Sequence, residues 1–298
     1  MEHRVELGDG DVIWAEDLGR ADGTPLLLIM GANASGMTWP DELVERLGER
    51  HRVVRYDHRD TGRSTWAFAQ RPYAVRDLAE DAVAVLDALG IDRAHVVGMS
   101  MGGVLVQLLL LDHPERLRSA TLFCTTALGS GLAAGDRDEP DVELPGPDPR
   151  LLELWAEMGE PRDAEAELAW RVEHWRILSG DQLPFDADEM RLMEQRVMEH
   201  AGRSDNPAAH ALADQSGLER GAELGSVTVP TLVIEAPADP INPPPHAGNL
   251  AASIGGARLV SIAGMGHAIV GSVIDPLAAA ILDHVDRVDA AGSRSTQG

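Results

Sequence analysis

A serine lies between two glycines at a spacing that suits nucleophilic catalysis. Residues 96–103 read Val-Val-Gly-Met-Ser-Met-Gly-Gly, and this apolar start predicts a buried strand, while 104–111 predicts a helix. A serine in a tight strand-to-helix turn has a strained backbone, so its neighbours must lack bulk, which Gly98 and Gly102 supply. The pattern predicts that Ser100 is a nucleophile. A serine that only caps the helix is the alternative.

A serine hydroxyl needs a base that accepts its proton and a carboxylate that orients the base. Asp239 follows an apolar strand pattern within Ala-Pro-Ala-Asp-Pro, and His267 follows another within Ala-Gly-Met-Gly-His. Serine, acid and histidine in this order, each on a loop after a strand, are typical of nucleophile-elbow enzymes. We therefore predict a triad of Ser100, Asp239 and His267. Glu235 and Asp60 are rival acids, and a turn before proline is the alternative role for Asp239.

Backbone N–H groups could stabilise the oxyanion that forms when a serine attacks a carbonyl. The helix that begins after Ser100 offers the N–H of Met101. The loop after the predicted strand 26–30 begins Gly31-Ala32-Asn33, whose small residues permit close approach of the backbone. We predict Met101 and Ala32 as the two donors. A plain Gly-Ala turn explains this loop equally well, and only its position after a strand favours the donor role.

The elements around these residues alternate between strand and helix patterns, after an N-terminal hairpin formed by 5–7 and 12–16. Such alternation predicts an α/β fold with a mostly parallel sheet flanked by helices. The predicted strands are 26–30, 52–56, 96–99, 120–124, 229–235 and 258–262, and the predicted helices of this core are 39–48, 75–89, 104–111 and 277–288.

The alternation stops in the middle of the chain. Residues 129–149 are rich in Gly, Pro, Asp and Glu, and 151–217 show helical patterns without a strong strand signal. We predict a core of 1–126 and 227–290, a helical cap with a Pro/Asp-rich linker over 127–226, and a disordered tail over 291–298.

The cap contains aromatic residues that could contact a flat substrate. Trp155, Trp175 and Phe185 are tentative substrate-binding residues, because large aromatic side chains often line apolar ligand sites. A small core within the cap itself is the more ordinary role for any one of them.

Composition narrows the possible functions. The chain has 25 basic and 49 acidic residues, a net charge of −24, which argues against partners such as nucleic acid or anionic membrane. It contains no lysine, which excludes a P-loop lysine and a pyridoxal Schiff base. Cys124 is the single cysteine, and no apolar run approaches a membrane span or signal peptide. We expect a cytoplasmic protein without metal or organic cofactor; oligomeric state is not indicated.

With these features in order, the chain resembles the α/β-hydrolase superfamily over nearly its full length. Four further segments are similar to the aclacinomycin methylesterases of anthracycline biosynthesis, which hydrolyse a carbomethoxy group on a polycyclic aromatic polyketide. These segments are 30–33, 55–64, 175–180 with 184–186, and 264–268. The resemblance implies a serine methyl esterase of the anthracycline type, with the triad and oxyanion donors already named. It also implies that the turn 57–64 supports the active-site loop.

Other functions are compatible with the same residues. The triad could serve a cofactor-free perhydrolase or haloperoxidase, a C–C bond hydrolase or an acyltransferase. A non-catalytic small-molecule binding protein is a further alternative. Serine at the elbow, where dehalogenases and epoxide hydrolases need a carboxylate nucleophile, argues against those two classes.

Overall fold

The structure is a computed structural model that describes residues 1–135, 143–205 and 208–295, with side chains to residue 292. Eight strands form one sheet in the order β1-β2-β4-β3-β5-β6-β7-β8. The strands are β1 Glu2–Glu6, β2 Val12–Gly19, β3 Thr24–Ile29, β4 His51–Tyr56, β5 Ala94–Met99, β6 Leu117–Phe123, β7 Thr231–Glu235 and β8 Arg258–Ser261. The β1–β2 hairpin and the β2–β4 pair are antiparallel, and all other pairs are parallel. The predicted α/β architecture is confirmed.

Nine helices accompany this sheet in the described part of the chain. They are α1 Asp41–Gly48, α2 Val75–Ala88, α3 Met101–Asp112, α4 Pro149–Ala156, α5 Ala164–Leu178, α6 Ala187–Ala201, α7 Ala209–Leu212, α8 His246–Ser253 and α9 Gly271–Ser295. No helix within the described ranges is long and apolar enough to cross a membrane.

The central strands are apolar because helices cover both of their faces. Successive side chains of a strand point to opposite faces, so the run Leu26-Leu27-Leu28-Ile29 supplies two cores. Leu27 and Ile29 pack in a cluster with residues of α2 and α3. Leu26 and Leu28 pack on the opposite face in a cluster with residues of α1 and α9. This two-sided packing fixes the carboxyl ends of β3 and β5 side by side, where the candidate nucleophile lies.

The segment between β6 and β7 contains the helices α4 to α7. It falls within the predicted cap of 127–226, although the division of the chain into domains remains a prediction. Part of the predicted linker, 136–142, lies outside the described residues. Within this segment Met190, Met193 and Val197 of α6 form a small apolar cluster of their own.

The last helix is longer than the sequence indicates. The pattern predicts a helix over 277–288, but α9 begins at Gly271 and extends to Ser295. Pro276 suggests a start after it, yet this residue lies near the N-terminus of α9, where a missing N–H costs less than in the middle of a helix. The first residues of the predicted disordered tail are therefore helical, and residues 296–298 lie outside the described ranges.

Candidate active site

Ser100 occupies a strained turn between β5 and α3. Its backbone has φ 56° and ψ −122°, a conformation that costs free energy in a residue with a side chain. The two glycines around it allow close packing. A Cβ on Gly98 would lie 2.4 Å from the carbonyl oxygen of Gly102, and a Cβ on Gly102 would lie 2.1 Å from that of Ile29. The turn therefore has the nucleophile-elbow geometry that the sequence predicts.

Asp239 and His267 meet at the same edge of the sheet, after β7 and β8. The Nδ1 of His267 lies 2.9 Å from each carboxylate oxygen of Asp239. Asp239 Oδ1 also accepts hydrogen bonds from the N–H groups of Ile241 at 2.8 Å and Asn242 at 3.0 Å. Because the carboxylate is acceptor-only when ionised, Nδ1 carries the proton, and Nε2 is free to accept one. This is the tautomer that a general base requires.

The environment of Asp239 keeps its carboxyl group ionised although it is only 2% exposed. Burial acts to raise its pKa, but the charge and hydrogen bond of His267, with the two backbone N–H groups, lower the pKa below the usual value. The rival acids have other contacts. Asp60 accepts a hydrogen bond from the N–H of Phe68, and Glu235 is the last residue of β7. Of the three acids, only Asp239 contacts His267.

Ala32 and Met101 lie where an oxyanion hole would form. A Cβ on Gly31 would be 3.1 Å from the Cβ of Ser100, so this loop passes directly beside the candidate nucleophile. Met101 is the first residue of α3, whose N-terminus favours negative charge. Among the described residues, neither the Ala32 nor the Met101 N–H has a hydrogen-bond partner. Both groups are thus available to a substrate oxygen.

Two histidines hold the loop that contains Ala32. His58 Nε2 contacts the carbonyl oxygen of Met30 at 2.9 Å. Nδ1 of His210, in α7, accepts a hydrogen bond from the backbone N–H of Asn33 at 2.7 Å, and the backbone N–H of His210 donates to Asn33 Oδ1 at 3.1 Å. Asn33 has φ 57°, so these two bonds stabilise an uncommon conformation. Burial lowers the pKa of His58 to about 4 and that of His210 to about 3, so both rings are neutral near pH 7.

The turn 57–64 also supports this region, as the resemblance implies. Asp57 Oδ1 accepts the hydroxyl of Ser35 at 2.5 Å and the N–H of Gly36 at 2.8 Å. Its other oxygen accepts the N–H of Arg63 at 2.9 Å and lies 2.7 Å from Nε2 of His200 in α6. Asp57 therefore connects the loop after β3 to the cap.

A cavity of about 420 Å³ lies above the candidate nucleophile. Ser100, Met101, Ala32 and His267 form part of its wall. The cap contributes aromatic residues to the same cavity, namely Trp155, Trp170, His174 and Trp175. Such a site suits a large, flat, apolar ligand.

The structure gives different positions to the three predicted substrate-binding residues. Trp155 and Trp175 line the cavity, as predicted. Phe185 does not; it packs against the Met190, Met193 and Val197 cluster instead. The sequence could not distinguish these roles, because an aromatic residue suits a cap core and a ligand wall equally well.

The charged residues in the cavity wall are paired. Arg171 contacts Glu167 at 2.9 Å and Glu194 at 3.1 Å, and the other oxygen of Glu194 accepts the indole N–H of Trp175 at 2.5 Å. A buried charge that is fully paired fixes the geometry around it. This network therefore holds the Trp175 ring in place between α5 and α6.

Cys124, Asp239 and His267 are the one group in the described ranges whose ligand atoms, within 4.8 Å of one another, could hold a metal ion. Burial, and then Asp239, raises the pKa of the Cys124 thiol well above its usual value, so the thiolate that a metal prefers is disfavoured. Both oxygens of Asp239 already contact His267. The contact between Asp239 and His267 explains why these ligand atoms lie close together.

The sequence does not single out two histidines of this site. His174 and His210 occur within helical segments and in no recognisable motif, so nothing in the local pattern distinguishes them from surface histidines. Only the three-dimensional structure shows that His174 lines the cavity and that His210 contacts the loop after β3.

Comparison with known proteins places this geometry in a family. Residues 24–271 match the family model of the alpha/beta hydrolase fold. The chain is 47% identical to rhodomycin D methylesterase DauP of Streptomyces sp. strain C5, with 95% of this chain and 98% of that protein aligned. It is 48% identical to rhodomycin D methylesterase DnrP of Streptomyces peucetius over the same shares. A solved hydrolase from Pseudomonas aeruginosa PA01 superposes with a TM-score of 0.72 at 26% identity, covering 95% of this chain and 98% of that one.

The family match spans most of the chain, and the two methylesterases align over nearly all of it. The chain therefore belongs to the α/β-hydrolase fold family, as one of its carboxylic ester hydrolases.

Proposed function

We propose that this enzyme hydrolyses the methyl ester of a polycyclic aromatic polyketide of the anthracycline type. The observation that carries the proposal is that Ser100, His267 and three cap tryptophans line one cavity. Indole rings bind flat aromatic surfaces through offset and edge contacts. The proposal agrees with the activity named for the two rhodomycin D methylesterases.

In the proposed mechanism, the Oγ of Ser100 attacks the ester carbonyl carbon and its proton passes to Nε2 of His267. The carbonyl oxygen becomes an oxyanion, which accepts hydrogen bonds from the N–H groups of Ala32 and Met101. Asp239 holds the imidazole in the required tautomer and stabilises the imidazolium.

The tetrahedral intermediate collapses when the C–O bond to the methoxy group breaks. His267 donates its proton to the departing methoxide, and methanol leaves the acyl-enzyme. Water then enters, His267 removes its proton, and the hydroxide attacks the acyl carbon. The bond to Ser100 Oγ breaks, the serine regains its proton from His267, and the carboxylic acid is released.

A substrate panel tests this proposal. Wild-type protein is incubated with a polycyclic aromatic methyl ester and with p-nitrophenyl acetate, and methanol and acid are quantified. We expect a higher kcat/KM for the polycyclic ester, with methanol and acid released in equal amounts. Equal or higher kcat/KM for p-nitrophenyl acetate would contradict the proposed substrate. The perhydrolase alternative is tested by repeating the assay with hydrogen peroxide present and no metal added.

The nucleophile is tested by Ser100→Ala. We expect kcat to fall by roughly 10⁴-fold or more while the thermal unfolding midpoint changes little, because the side chain acts in the reaction. Ser253→Ala is a matched control, since that hydroxyl only contacts the Asn249 carbonyl in α8. Unchanged turnover of Ser100→Ala would disprove the role of this residue.

A further inference from the structure

His174 occupies an unusual position in the wall of the catalytic cavity. It lies on α5 among three indole rings, with ring centroids 6.2 Å from Trp155, 5.5 Å from Trp170 and 6.3 Å from Trp175. The imidazole is tilted by 34° to Trp170 and 35° to Trp175. His174 is the imidazole in a group whose other three rings are indoles, and the proposed mechanism does not use it.

The hydrogen bond from Trp155 fixes the tautomer of this histidine. The indole N–H of Trp155 donates to Nε2 of His174 at 3.0 Å. An indole nitrogen can only donate, so Nε2 must be unprotonated, and the proton of the neutral ring is on Nδ1. Burial, and then the nearby charge of His267, lowers the pKa of His174 to about 4, so the ring is neutral at pH 7.

The remaining N–H of the ring has no partner in the part of the chain that the structure describes. Among the described residues, Nδ1 of His174 makes no hydrogen bond, and it is not one of the polar atoms sealed from solvent. Because His174 lines the cavity, this donor is available to whatever occupies it. A buried donor that a ligand leaves unpaired costs binding free energy, so the position favours a ligand with an acceptor there.

We infer that His174 is a substrate-binding residue whose Nδ1–H donates a hydrogen bond to an oxygen on the ring system of the substrate. The inference rests on the proposed function, and it adds a chemical requirement to it. The ester carbonyl oxygen is assigned to the N–H groups of Ala32 and Met101, so the oxygen bound by His174 is a different one. A quinone or ketone carbonyl, or a phenolic oxygen, at the edge of a flat ring provides such an acceptor. The enzyme therefore prefers oxygenated polycyclic rings to hydrocarbon rings of the same size.

The test measures binding of two ring systems that differ only in oxygen. The ligands are 2-(hydroxymethyl)anthraquinone and 2-(hydroxymethyl)anthracene, and binding is followed by quenching of tryptophan fluorescence. The readout is the ratio of the two dissociation constants, so that general damage to the aromatic wall affects both ligands. We expect wild type to bind the quinone more tightly, and His174→Phe to reduce this preference by about tenfold, the effect of one hydrogen bond.

Two variants separate hydrogen bonding from packing. In His174→Asn the side-chain amide N–H can replace the Nδ1–H, and we expect it to retain most of the preference for the quinone. His113→Phe is the matched control, because His113 lies at the surface beside Glu80 and outside the cavity, and it should leave the ratio unchanged. An equal ratio in wild type and His174→Phe, or equal ratios in the Phe and Asn variants, would overturn the inference.

The binding test and the hydrolysis test can fail independently of each other. A His174-dependent preference for the quinone, without hydrolysis of polycyclic methyl esters, would refute the proposed function and leave the assignment of His174 standing. Hydrolysis of those esters with no His174-dependent preference would refute the assignment alone.

Discussion

In the proposed mechanism the carboxylate of Asp239 acts through the imidazole of His267. It is almost fully buried, both of its oxygens lie 2.9 Å from Nδ1 of His267, and one of them also accepts hydrogen bonds from two backbone N–H groups. A buried carboxylate in this setting stays ionised because each of its partners donates to it. At the scale of single residues, the site therefore depends on the tautomer that this contact imposes.

Replacing Asp239 by asparagine tests that dependence. The amide is nearly isosteric, but its N–H₂ group can face Nδ1 of His267, which moves the ring proton to Nε2 and removes the base. We expect kcat for p-nitrophenyl acetate to fall by roughly 10⁴-fold, as is usual for a triad acid changed in this way. Asp214→Asn, on the exposed surface beside Ser216, is the control and should keep wild-type kcat. A loss below tenfold in Asp239→Asn would show that another acid orients His267.

The three residues of the proposed triad can be selected from the sequence because each belongs to a local pattern. Ser100 has its flanking glycines, and Asp239 and His267 follow apolar strands in the required order. His174 and His210 belong to no such pattern. Their roles depend on which loop or cavity the cap brings to them, and this depends on contacts between residues far apart in the chain. The role of Phe185 could not be predicted from the sequence for the same reason, because its neighbours depend on how α6 packs on α5.

At the scale of elements, the cap is joined to the catalytic loops by backbone as well as by side chains. The N–H of His267 donates to the carbonyl oxygen of Leu178, the last residue of α5, at 2.7 Å. His210 of α7 holds Asn33, next to the proposed oxyanion donor Ala32. The cap thus contacts both the loop with the proposed base, His267, and the loop with the proposed oxyanion donor, Ala32.

The contact between α7 and the Ala32 loop leads to a prediction. In His210→Ala the Asn33 N–H loses its acceptor, and we expect kcat for p-nitrophenyl acetate to fall by about tenfold, because a displaced donor stabilises the oxyanion less. KM should change little. His210→Asn places an acceptor oxygen close to the position of Nδ1, and it should recover most of the loss.

The comparison of these two variants distinguishes a positioning role from a purely structural one. Equal kcat in the alanine and asparagine variants would contradict the positioning role. So would a rise in KM without a change in kcat, since this would indicate that His210 acts on substrate binding alone.

At the scale of the whole molecule, the number of buried neutral histidines gives the protein a sensitivity to acid. Burial lowers the pKa of His58, His174 and His210 to about 4, about 4 and about 3, from an ordinary value of 6.5. Below pH 6.5 the unfolded chain binds protons at these residues and the folded protein does not. The free energy of unfolding therefore falls as the pH decreases from 6.5 towards these lowered values.

Denaturant unfolding at pH 7.5, 6.5 and 5.5 checks this expectation. This range lies above the ordinary pKa values of Asp and Glu and spans the ordinary pKa of histidine. Each histidine should lower the free energy of unfolding by up to about 1.4 kcal/mol per pH unit below 6.5. His210→Asn should reduce the slope by one such increment. A free energy of unfolding that stays constant from pH 7.5 to 5.5 would refute the expectation.

The hydrogen bond between His267 and Leu178 has a consequence for engineering this enzyme. Exchange of caps between relatives is an obvious route to new substrate ranges, because the cap supplies most of the aromatic wall. Here the donor cap must also bring a free carbonyl at the end of its second helix and an acceptor for the Asn33 N–H. A chimera that lacks the carbonyl or the acceptor would have a new pocket, but the loops that carry His267 and Ala32 would no longer be held in position. The segment that must be exchanged is thus larger than the cap helices alone. It includes the cap residues that contact the loops carrying Asn33 and His267.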